Sequence, residues 1–262
     1  MKLHKKCGLL IPALASALAF ALGSAALLFA PQARAQEQEK EKGKRERKTK
    51  VETPGPGGLV ADKGKFRVLL DGQPVGTEEF YIAPSGNEWV ARSNVEINIP
   101  TGEAAKVRAE LKLAPNGTPQ HYEWTAQGQK KNSATIIFQG GMARAELRME
   151  GASPFTQEFT FDSPNVVVLD NNVYHHYAIL ARMYDWKTKG AQTFPVLIPQ
   201  EMTPGTITVE SAGQQEIAGV KYELLKVRSA DLEIDLYLDA SWRLVRLSVP
   251  ASKAEVMREQ AQ

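Results

Sequence analysis

The feature that most constrains this chain is an alternation of apolar and polar residues with a period of two, sustained from about Lys63 to Pro250. Val107, Ala109, Leu111 and Leu113 alternate with Lys106, Arg108, Glu110 and Lys112. Ala143, Ala145, Leu147 and Met149 alternate with Arg144, Glu146, Arg148 and Glu150, and Leu232, Ile234, Leu236 and Leu238 with Glu233, Asp235, Tyr237 and Asp239. Successive side chains of a strand point to opposite faces, so these runs read as half-buried antiparallel strands. Asp71-Gly72, Ser85-Gly86-Asn87, Asn116-Gly117, Gly140-Gly141, Ala212-Gly213 and Asp239-Ala240-Ser241 separate them with residues suited to tight turns. The predicted fold is mainly β, a curved antiparallel sheet or incomplete β-barrel of roughly a dozen strands.

One segment breaks the alternation. Between Asp170 and Trp186, Val173, Tyr177, Leu180 and Tyr184 recur at helical spacing and form one apolar stripe. Asp170 or Asn171 is the expected N-cap, and Gly190 lies past the end. The sheet therefore packs on one central helix over about 170–186, with the stripe on its concave face. A short C-terminal helix or tail is expected over residues 251–262, after Pro250.

The N-terminus carries Lys2, Lys5 and Lys6, an apolar stretch from Gly8 to Ala30, and Ala33-Arg34-Ala35, the layout of a cleavable export signal. Cleavage after Ala35 and a periplasmic location are expected. The alternative is an uncleaved segment anchored in the inner membrane. Removing residues 1–35 takes away four basic residues, no acid and the lone cysteine, Cys7. The remainder holds 28 basic and 30 acidic side chains, net −2, with no basic excess to recruit nucleic acid. Residues 36–62 form a charged, Pro/Gly-rich linker that includes Pro54-Gly55-Pro56-Gly57-Gly58, too poor in apolar groups to fold. Membrane contact, if any, would be transient and through this linker. Residues 63–250 then form a single β-rich domain.

Chemistry-bearing patterns are sparse. His175 and His176 are adjacent on the helix and point about 100° apart, which does not suit one metal ion. No nucleophile elbow, Ser-x-x-Lys, paired aspartic loop or phosphate-binding glycine loop occurs. Glu78 and Glu79 face opposite sides of a strand. No catalytic residue, metal ligand or cofactor is assigned. A hydrolase built from carboxylates with His121 or His176 stays open as the third reading.

The aromatic residues suggest binding. Trp124, Phe159 and Phe161 on strands, with Val173, His176, Tyr177, Leu180 and Tyr184 on the helix, are the candidate ligand-binding residues, lining an apolar cavity for a lipid or acyl chain. Gly190 to Pro199, with Pro195 and Pro199, is the expected lid or edge element. The alternative is an envelope protein-interaction module with a filled core.

The opening run Leu70-Asp71-Gly72-Gln73-Pro74-Val75-Gly76-Thr77-Glu78-Glu79-Phe80 and the closing Asp239-Ala240-Ser241-Trp242-Arg243-Leu244-Val245-Arg246-Leu247 resemble exported bacterial β-rich families of unknown function. In architecture these are similar to the lipoprotein carriers, whose curved antiparallel sheet wraps around helix. The resemblance implies a non-catalytic carrier of hydrophobic ligands and assigns no individual residue.

Overall fold

The computed structural model describes residues 57–98, 104–128 and 130–260. The expected export segment and the linker up to residue 56 lie outside the described residues. The strands are β1 (Asp62–Leu70), β2 (Gln73–Ser85), β3 (Glu88–Ile97), β4 (Ala105–Leu113), β5 (Pro119–Gln127), β6 (Lys131–Gln139), β7 (Met142–Met149), β8 (Phe155–Thr160), β9 (Val167–Val168), β10 (Gln192–Ile198), β11 (Thr203–Ile217), β12 (Val220–Arg228), β13 (Glu233–Leu238), β14 (Leu244–Val249) and β15 (Ala254–Arg258). All 15 belong to one sheet, in the order β8-β7-β6-β5-β4-β3-β2-β1-β15-β14-β13-β12-β11-β10-β9. Neighbours are antiparallel except β9 and β10, which run parallel.

This order forces the sheet to roll up. Laid flat, 15 strands at about 4.8 Å spacing would span roughly 67 Å. Yet β8 at one end is joined to β9 at the other by residues 161–166 alone, which reach about 25 Å at most. The result is barrel-like without closure, since β8 and β9 do not pair. The meander is continuous around it, and β1 pairs with β15 so that the domain's two ends meet within the sheet.

The helix α1 (His175–Met183) occupies the lumen. Small residues on the inner wall make room for it: Ala91, Ala109, Ala134, Ala143 and Ala145 are all buried. Its side chains His175, His176, Ile179, Leu180, Ala181 and Arg182 are buried in turn.

Four sequence expectations are refined by the structure. The sheet has 15 strands, because short strands such as β9 carry too little alternation to be counted. The helix is shorter than 170–186 at both ends. Its N-cap is Tyr174, with no side-chain cap from Asp170 or Asn171, because Glu78 on β2 supplies the capping carboxylate from across the lumen. The C-terminal stretch is β15, preceded by a 3-10 turn at Pro250–Ser252: Val256 alternates into the core and β1 and β14 satisfy its backbone. The stretch expected as a lid or edge element is β10, next to the two-residue end strand β9, with Val196, Leu197 and Ile198 in the core. Pro195 sits beyond the two residues that β9 covers, where β10 is itself an edge and a missing N–H costs nothing.

Candidate functional site

Inside the barrel a buried polar cluster ties α1 to the wall. Glu78 faces inward on β2, between Phe80 and the helix N-terminus. One carboxylate oxygen accepts the backbone N–H groups of Tyr174 and His175, at 2.9 and 3.0 Å. The other lies 2.7 Å from His175 Nδ1. A negative group at the orphan N–H groups of a helix is favoured by both hydrogen bonding and the helix dipole. The Glu78 and His175 side chains are both fully buried.

Across the lumen, the Tyr122 hydroxyl on β5 donates to Asp170 at 2.6 Å. The second Asp170 oxygen accepts the backbone N–H groups of Asn171 (3.0 Å) and Gln200 (2.8 Å). Desolvation raises the Asp170 pKa to about 6 despite these donors. The Asp170 N–H points at His176 Nδ1, at 3.4 Å. His176 is held well below its ordinary pKa by burial first and by His175 second, so it is neutral with Nδ1 as acceptor. Burial, followed by the neighbouring Asp170 charge, pushes the Tyr122 phenol up.

These residues form a continuous circuit. Phe80 stacks on His175 at 5.9 Å, His175 meets His176 at 4.6 Å, and His176 meets Tyr122 at 5.5 Å. The circuit is sealed from solvent. A histidine does meet a carboxylate here, with both side chains fully buried. His121, half-buried on β5, lies outside it. Among the described residues no group of three or more His, Cys, Asp or Glu side chains is arranged to hold a metal ion.

The candidate binding residues fall into two sets. Val173, Leu180 and Tyr184 are at most 1 % exposed, and His176, Trp124 and Phe159 at most 5 %. They are packed core: Tyr184 donates to the Gly190 carbonyl and accepts the Ser211 N–H, locking the chain after the helix onto β11. Phe161 is half-buried just past the end of β8 and packs against that core. Tyr177 alone of the helix stripe reaches an opening. It lines a crevice with Leu169, Ile207, Val227, Ser229, Leu232 and Ile234, between α1 and the β11–β13 wall. Burial raises its phenol pKa too.

This crevice is almost wholly apolar, with room of about 10 Å³, the scale of one water molecule. Its one polar side chain besides Tyr177 is Ser229, whose Oγ is buried and has no hydrogen-bond partner. Sequence reasoning missed the wall residues because Ile207, Val227 and Ile234 read as ordinary inward positions of three strands. Only the rolled sheet brings them to Tyr177. A second crevice, equally small, lies near the helix C-terminus; its lining is mostly apolar, with Asp62, Arg182 and Arg243 as its charged members.

No known protein-family profile matches the chain, and no curated protein matches it. A solved structure does share its fold. A β-barrel-like protein of the domain of unknown function DUF1849 from Brucella abortus superposes with a TM-score of 0.53 at 8 % identity, covering 78 % of this chain and 97 % of that one. A DUF1089 family protein from Pseudomonas aeruginosa gives a TM-score of 0.41 at 7 % identity, over 67 % of this chain and 90 % of that one. The chain is thus β-barrel-like, with a fold similar to that of the DUF1849 protein.

Proposed function

We propose that this chain is an exported, non-catalytic binding module whose ligand is an apolar molecule carrying one hydrogen-bonding group, such as a fatty acyl chain. The observation that carries this reading is the crevice beside Tyr177: six apolar or aromatic side chains around one buried serine hydroxyl with no partner. An unpaired buried hydroxyl costs about 1–3 kcal/mol, which a ligand carbonyl, carboxyl or hydroxyl would relieve. The remaining lining gains from covering the ligand's apolar surface, at about 25 cal/mol per Å².

The crevice is closed to a chain-like molecule as it stands, so binding requires a wall to move. The β12–β13 connection is the segment suited to it. It is short and carries two lining residues, Ser229 and Leu232, which are joined by the Ser229 N–H bond to the Leu232 carbonyl. Displacing Leu232 outward lengthens the crevice along the inner wall without disturbing the Glu78–His175 anchor of the helix.

Titration with a fluorescent fatty acid tests the reading. The wild type takes it up saturably. Leu232→Arg abolishes uptake, and Ser229→Ala weakens it about fivefold, the value of one neutral hydrogen bond. Equal uptake by all three folded proteins overturns the assignment to this crevice.

A further inference from the structure

We infer that β8 is a homodimerisation edge, pairing antiparallel with β8 of a second copy of this chain about a two-fold axis at Gln157. Three observations support this. First, β8 ends the sheet, with β7 its only strand neighbour among the described residues. The strand carries no lysine or proline, the residues that commonly block an open edge.

Second, the inner face of the β7–β8 hairpin is covered at one end only. Ala143, Ala145 and Phe159 are at most 5 % exposed, whereas Met149 and Phe155, on the same face further along, are 42 % and 49 % exposed. The hairpin therefore runs past the packed lumen and leaves apolar surface in water.

Third, the strand is self-complementary. Phe155-Thr156-Gln157-Glu158-Phe159 has the same outline read from either end. With Gln157 opposite Gln157 of the second copy, Phe155 faces Phe159, Phe159 faces Phe155, and Thr156 faces Glu158. Directly opposed residues of an antiparallel pair share a face, so the exposed Phe155 gains an aromatic neighbour. The outer face brings a threonine, not a second acid, to each Glu158. The same patch serves both copies, as a closed two-fold dimer requires.

The test is sedimentation equilibrium of the full chain over a wide concentration range. It is run beside Gln157→Lys, which sets two like charges opposite each other, and Gln157→Cys in a Cys7→Ser background. Opposed residues have Cα atoms about 4.5–5.5 Å apart, within disulfide reach. The expected result is a monomer–dimer equilibrium, weakened about tenfold or more by Gln157→Lys, and a disulfide-linked dimer from Gln157→Cys on mild oxidation. A control cysteine at the exposed Thr135 of β6 should give no linked dimer. A chain that stays monomeric at every concentration overturns the proposal. So does a Gln157→Lys variant that dimerises like the wild type, or equal cross-linking from positions 157 and 135.

Discussion

Glu78 and His175 meet in the centre of the barrel, 2.7 Å apart and both fully buried, although 97 residues separate them in the chain. The contact sets where α1 sits. A carboxylate on a sheet strand substitutes for the helix's own cap, so the helix is fixed to the inner wall and not merely enclosed by it.

Removing this anchor should be costly. Glu78→Ala leaves two helix N–H groups and His175 Nδ1 without their acceptor, and should destabilise the domain by about 3 kcal/mol or more in urea unfolding. Glu78→Gln keeps one oxygen for the N–H groups and should lose about half as much. Equal stability of all three proteins would show that the contact does not hold the helix.

Asp170 and His176 oppose one another in their response to pH. The Asp170 pKa is raised to about 6 in the fold from an ordinary 3.8, so its contribution is greatest below pH 4 and is lost as pH rises through 6. The His176 pKa is lowered well below 6.5, so its contribution is present above 6.5 and is lost as pH falls. Between pH 4 and 6 the two slopes have opposite signs. Asp170→Asn should therefore expose a stability that falls on acidification, and His176→Phe one that rises. Denaturant midpoints measured from pH 4 to 7 check both signs.

Gly76 should not tolerate a side chain. A Cβ there would collide with the Glu96 carbonyl oxygen and lie 2.6 Å from Ile97 Cδ1, beside the bulge where β1 and β2 shift register. The β3 backbone has no room to yield, so Gly76→Ala should lower stability by roughly 1–3 kcal/mol. Gly86→Ala at an open turn is the control, with only its positive φ to strain. Thermal unfolding of the two variants separates these causes.

The sequence made the strands legible because alternation is local. Leu111, Leu113, Ala143, Ala145, Leu236 and Leu238 all face inward as their pattern requires. Gly72, expected in a tight turn, has a positive φ of 76° between β1 and β2, whereas Gly76 is held to glycine by a close approach to β3. The curvature of the sheet was also expected; what sequence could not supply was which strand positions the rolled sheet brings against α1. That placement makes Glu78 a helix cap, puts Val173, Leu180 and Tyr184 in packed core, and sets Ser229 beside Tyr177. A buried glutamate on a strand also has no sequence signature, since Glu78 and the exposed Glu79 look alike in the chain.

On the proposed function, the crevice beside Tyr177 takes an apolar ligand. Native mass spectrometry of the protein, purified without organic solvent from the organism that makes it, tests this most directly. The expected result is an added mass that disappears on organic extraction, reads as lipid, and is missing from the Leu232→Arg protein. A bare mass for the wild type, with no uptake of added fatty acid, would contradict it.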